Sequence, residues 1–398
     1  MIKNIKLMTI LSFFTCLLGF FSCSSSDGEP EVSSPVVSVV PTQITATYEG
    51  SVTTLSVKSD QEWTAFSNED WITCKILSNT LQGTVEVTVK ANTTYQPREG
   101  AVVVKSGTTR VSVPVSQEAK PDIVDPDIDT PEGYRLIWQD EFNDSKLSTP
   151  DESLWWYETG ASGWGNNEIQ NYIPGSKNGE TCAQVSNGTL KIIAKKVGNE
   201  VYSIRMNTVE SWKYGYFEAR LKLPTGKGTW PAFWMMPKNY TAWPDDGEID
   251  IMEEVGYDPN VILSTVHCKA YNHSIGTQKS GTIKVPTAQT EFHVYAVEWT
   301  EDFIKGYVDG KCYFTFDNDK KGNKNTWPFN TAFYLKLNLA WGGDWGGAQG
   351  IDESALPATY EIDYVRVFQK KLNRYESYKN FFHLLAPSAF CLLYTSGK

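Results

Sequence analysis

From Pro35 onwards the chain is written in short alternating runs, and no long helical period interrupts them. Thr84-Val-Glu-Val-Thr-Val-Lys90 and Val111-Ser-Val-Pro-Val115 alternate polar and apolar residues. So does Tyr216-Phe-Glu-Ala-Arg-Leu-Lys-Leu223, where Phe217, Ala219, Leu221 and Leu223 share a face. Strand side chains alternate between the two faces of a sheet, so this text specifies half-buried strands. Phe292 to Trp299 is apolar on both faces and predicts a central strand. Tyr307 to Phe314 carries Asp309-Gly310, a hairpin turn, and Tyr360 to Phe368 reads as a last strand. A chain without helices must cover sheet with sheet. The expected class is therefore all-β, with two sandwiches: a small immunoglobulin-like one over 35–119 and a larger one over 133–369.

The stretch between the two, 120–132, spaces Pro121, Pro126 and Pro131 with acids and is expected to be an extended linker. Residues 1–22 have Lys3 and Lys6 ahead of a largely apolar run from Met8 to Phe21, the pattern of a secretory signal. That run is short for a membrane span. Residues 23–34 form a polar spacer. Residues 370–398 break the pattern: an aperiodic apolar run ends in Cys391-Leu-Leu-Tyr-Thr-Ser396, which reads as the translated end of a sequencing transposon.

The chemistry is expected in Gly247-Glu248-Ile249-Asp250-Ile251-Met252-Glu253. Glu248 and Asp250 share a face. Glu253 joins them if one extra residue, a β-bulge near Ile251 or Met252, corrects the phase. Ile249 and Ile251 then anchor the strand in the core. Three like charges in a row raise at least one pKa, a cost that folds accept for metal binding or acid/base chemistry. Two carboxylates flanking a scissile bond are the working parts of glycoside hydrolysis.

Composition narrows the partner. The net charge is −11 and there are 14 Trp and 20 Tyr. Acidity argues against nucleic acid and sulfated glycans, and abundant rings suit the apolar faces of neutral sugars. No Cys-x-x-Cys occurs, and buried free thiols are expected.

Glu248-Ile-Asp250-Ile-Met-Glu253, with Trp230-Pro-Ala-Phe-Trp234 upstream and Ser264-Thr-Val-His267 downstream, resembles glycoside hydrolase family 16 of the laminarinase, or endo-β-1,3(4)-glucanase, type. The resemblance covers nearly all of 134–368. It implies a jelly roll, a β-glucan substrate and hydrolysis inside the chain with retention of configuration. Glu248 would be nucleophile, Glu253 acid/base, and Asp250 their hydrogen-bonded neighbour. It also implies sugar contacts from Asn167 and Glu168, Arg205, Trp230, Trp234, Trp243, His267 and Trp345. Trp341 stands where relatives carry Val. A structural calcium at Glu141, Gly188 and Asp363 is implied too, with no catalytic cofactor. Agar-type galactan hydrolysis, transglycosylation and non-catalytic glycan binding by a surface lipoprotein are the alternatives.

Asp60-Gln-Glu-Trp63, Asn68-Glu-Asp-Trp71 and Arg98-Glu-Gly100 resemble the BACON domain. Trp63 and Trp71 are expected in its core, which leaves a spacer role. Phe20-Phe21-Ser22-Cys23 resembles a lipobox with Cys23 lipidated, as in Bacteroidetes surface lipoproteins. An outer-membrane, cell-surface monomer is the expectation.

Overall fold

The computed structural model describes residues 34–371 apart from 145 and 147. The expected signal, Cys23 and the atypical tail lie outside the described residues. The chain divides into two compact units between Pro121 and Asp122.

The first unit is a sandwich of two four-stranded sheets. One runs Val37–Val40, Ser51–Ser59, Gln82–Val89, Ile72–Ser78, and the other Ile44–Ala46, Thr109–Gln117, Arg98–Ser106, Thr64–Phe66. Alternation decides its core. Val85, Val87 and Val89 turn inward against Leu55, Val57, Val102 and Val113. Each such side chain contributes ~1.5–3 kcal/mol by leaving water. Trp63 and Trp71 are buried in the same cluster, as expected. The chain enters at one end, where Thr109 donates to the Pro35 carbonyl. It leaves at the other, where Gln117 donates to the carbonyls of Thr47 and Lys90. Ser51–Ser59 connects the two ends and spans roughly 27 Å.

The second unit packs a seven-stranded sheet on a ten-stranded one, the expected jelly-roll architecture. The seven strands are β1 (Trp155–Glu158), β2 (Arg205–Thr208), β3 (Thr229–Pro237), β4 (Glu248–Glu253), β5 (Val261–His267), β6 (Lys279–Lys284) and β7 (Phe333–Trp341). Their order is β1-β2-β7-β3-β4-β5-β6. Phe217, Ala219 and Leu221 of the second sheet are fully buried, as are Ile249 and Ile251 of β4. His293–Trp299 lies between two antiparallel neighbours, the central position expected for it. Asp309 and Gly310 both take positive φ in the hairpin turn.

One expectation gains a detail and another fails in part. The linker stretch 122–132 also packs: Ile128 is buried with Tyr134, Leu136 and Phe368, and Ile123 bridges to Leu136. Two isoleucines among the acids anchor it to the second unit. Of the described cysteines, Cys182 and Cys268 are buried free thiols, but Cys312 is exposed on a hairpin.

Candidate active site

β4 carries the acids, and its register shows how. Trp234 of β3 pairs with Asp250, but Phe233 pairs with Met252, so Ile251 is the extra residue. The same shift appears against β5, between Asp250 and Glu253. The bulge brings Glu253 onto the face of Glu248 and Asp250. Gly247 enters the strand at φ 91°, and a Cβ there would meet Pro328 at 2.9 Å. Only glycine makes that turn without strain.

The acids line a cavity of about 340 Å³. Trp230, Trp234 and Arg205 line it on the β1 side, and Trp243, His273 and Ser274 lie towards the β5 side. Trp230 Nε1 donates to Glu253 Oε1 at 3.0 Å, and Trp243 Nε1 to Glu248 Oε2 at 3.0 Å. The Trp243 loop is held from below. Asp246 accepts from the Thr241 and Ala242 amides, the Thr241 hydroxyl and Lys324, which hold its carboxyl far below the usual range. His267 Nε2 lies 3.3 Å from Asp250 Oδ2 and 3.9 Å from Glu248 Oε1.

Burial raises all three acids. Glu248 is pushed up to about 8, first by burial and then by the Asp250 charge, against the pull of His267 and Arg205. Burial pushes Glu253 up to about 7, with Trp230 pulling it down. Asp250, 3% exposed, is pushed well up, by burial and then by Glu253. The hydrogen bond between Asp250 and Glu248 raises Glu248 and lowers Asp250. The three titrate as a unit.

Further contacts build the floor on the β1 side. Trp234 Nε1 donates to Asn338 Oδ1 at 2.7 Å, and Asn338 donates on to Tyr172. Tyr172 and Gln170 donate to Glu168 Oε2. Arg205 lies over the rings of Trp164 and Trp234, and its Nε donates to Glu158 at 2.5 Å. That same Glu158 oxygen accepts from Lys336 Nζ at 2.6 Å. Lys336, 1% exposed, is brought down to about 7, chiefly by burial.

Most expected residues converge here: Glu168, Arg205, Trp230, Trp234, Trp243 and His267 join the acids. Asn167 does not. It is exposed at φ 52° with its amide spent on Asp344, and Asn166 lines the cavity instead. Trp345 packs edge-on against Trp230, ring centroids 5.2 Å apart, and reaches the site through that ring. Trp341 is a core residue, 1% exposed. Sequence reading missed Glu158, Trp164, His273, Lys336 and Asn338. A lone lysine in the apolar Tyr334-Leu-Lys-Leu337 was the one available signal.

The carboxylates expected to hold calcium are already engaged by arginines. Register places Glu141, Gly188 and Asp363 near one end of neighbouring strands. Glu141, however, is bidentate with Arg366, and Asp363 pairs with Arg220 at 2.6 Å. Elsewhere, atoms of Glu248, Asp250 and His267 lie within 4.8 Å of one another. One histidine with two acids, one already accepting from Trp243, is a poor metal cage.

Comparisons with known proteins give the lineage. Residues 172–366 match the model for glycosyl hydrolases family 16, and 61–118 match the BACON model. A β-glucanase of Rhodothermus marinus is 48% identical over 249 residues, 59% of this chain and 85% of that protein. The crystal structure of the laminarinase from Rhodothermus marinus covers 60% of this chain and 98% of its own, at 46% identity and a TM-score of 0.57. SCLam, a non-specific endo-β-1,3(4)-glucanase, matches 61% of this chain and 94% of its own, at 45% identity and a TM-score of 0.57. Sequence, fold and the bulged row of acids thus point to one lineage, and the chain belongs to glycoside hydrolase family 16.

Proposed function

We propose that the protein cleaves neutral β-1,3- or mixed-linkage β-1,3/1,4-glucan inside the chain, with retention of configuration. The observation that carries this is the pairing of two acids with two tryptophans, Glu248 with Trp243 and Glu253 with Trp230, on either side of the buried Asp250. Glu248 attacks the anomeric carbon as Glu253 gives its proton to the departing glycosidic oxygen. Glu253 then takes a proton from water, which attacks the same carbon and frees Glu248. Such double displacement works with carboxyls ~5–5.5 Å apart. Sugar-binding groups on both sides of the acids favour internal cleavage. The relatives named β-glucanase, laminarinase and endo-β-1,3(4)-glucanase support the substrate class.

No catalytic cofactor enters this scheme, and a structural calcium at Glu141, Gly188 and Asp363 would draw on backbone carbonyls beside the arginine-paired carboxylates. Lipidation at Cys23, with display on the outer membrane, is supported by the lipobox-like sequence and the polar run after it. The opposite chain ends of the first unit suit a spacer. Labelled fatty acid should enter the wild type and not Cys23→Ala.

Product analysis on laminarin, barley β-glucan and agarose side by side tests the substrate. Oligosaccharides from either glucan, with little from agarose, are expected. Agarose cleavage with inert glucans would overturn the reading.

A further inference from the structure

The transverse row that carries Asp250 continues past the cavity. It runs through Trp234 on β3, Lys336 on β7 and Asn207 on β2 to Trp156 on β1, the edge strand. Four strand-to-strand steps separate Asp250 from Trp156, about 19 Å at ordinary sheet spacing. Trp156 is 41% exposed, whereas its neighbour Trp155 points to the opposite face and is buried against Trp138 and Phe142.

Trp156 is a held ring rather than a loose surface one. Its Nε1 donates to the Thr208 carbonyl at 3.2 Å. Tyr334 lies beside it, with ring centroids 6.0 Å apart at 58°. The floor between this pair and the cavity is filled. The Lys336 ammonium lies 5.1 Å from the Tyr334 ring and 4.9 Å from the Trp234 ring, and it donates to Asn207 Oδ1 at 2.5 Å. Aromatic surface therefore extends from Trp234 to the sheet edge, in line with the acids.

We propose that Trp156 and Tyr334 form a distal sugar platform, which grips the glucan several units from the bond that is cut. This rests on the glucanase reading. The ring faces of β-linked glucose are apolar C–H surfaces, and a pinned indole offers a matching area at little entropic cost. A chain long enough to reach β1 gains the contact, and a short one cannot.

Chain-length dependence tests it. Steady-state kinetics of the full protein, Trp156→Ala and Trp156→Phe are compared on short laminari-oligosaccharides and on polymeric glucan. For Trp156→Ala, KM on polymer should rise about tenfold, ~1.4 kcal/mol of lost binding, with kcat little changed. Short substrates should be unaffected, and Trp156→Phe should recover part of the loss. Equal losses at every length would make Trp156 a structural residue, and no loss at any length would make it a bare surface ring; either overturns the platform. A wild type inert on all glucans would instead bring down the glucanase reading, and the platform with it.

Discussion

Trp230 donates its indole N–H to Oε1 of Glu253 at 3.0 Å. One side chain thus shapes the cavity and lowers the proton affinity of the acid, against the burial that raises it to about 7. Trp230→Phe keeps a ring and loses the donor. The basic limb of the kcat/KM profile should then move to higher pH, because an acid without that donor keeps its proton longer. A pH–rate series on soluble glucan reads this out, and a shift downward would contradict it.

The two glutamates are assigned by the stereochemistry of rescue. Both alanine variants should lose several orders of magnitude in rate. With azide and an activated β-glucosyl donor, Glu248→Ala should give the α-azide, because azide attacks from the face that Glu248 used. Glu253→Ala should give the β-azide, because azide displaces Glu248 from the covalent intermediate. Proton NMR distinguishes the anomers, and exchanged products would exchange the roles.

Stability should fall with pH around the acid row. Glu248 holds its proton up to about 8 when folded but only to ~4.3 when unfolded. Between those values the folded state binds more protons, so the group weakens the fold as pH rises, with the full penalty above 8. Glu248→Gln should therefore raise Tm by a few degrees at pH 8 and by almost nothing at pH 4. Thermal melts across that range decide it.

The loop beneath Trp243 depends on Asp246. Asp246→Ala removes the acceptor for two amides, a hydroxyl and Lys324. A fall of about tenfold in kcat/KM is expected, ~1.4 kcal/mol. Asp246→Asn should recover only part, because it cannot carry the charge that Lys324 meets.

Residues 122–132 should stabilise the second unit. A chain beginning at Asp122 keeps Ile128 in its pocket, and one beginning at Gly133 does not. The shorter chain should be less stable by ~1.5–3 kcal/mol, the worth of a fully buried isoleucine. Denaturant melts of the two should show it, while soluble-glucan activity stays within tenfold.

The sequence was most informative where one period ruled. Glu248 and Asp250 alternate with Ile249 and Ile251, and Glu253 falls out of phase by one residue, so both the shared face and the bulge could be read. Loops gave less. Asn166 and Asn167 are neighbours in a turn with positive φ, and no period says which amide faces the cavity. Long-range partners were silent: Lys336 finds Glu158 only after folding, 178 residues away. The prolines and acids of 120–132 suggested an extended linker and hid the two isoleucines that anchor it.

The first unit takes in its chain at Pro35 and releases it past Gln117, at the other end of the same strands. Ile44–Ala46, near the start, pairs in parallel with Thr109–Gln117, at the finish. Tension between the two ends therefore runs along the strands. It loads the hydrogen bonds of that pair in shear, where they must break together, rather than peeling them one at a time. A chain fixed at one end and pulled at the other by an insoluble polymer would meet its mechanical resistance there.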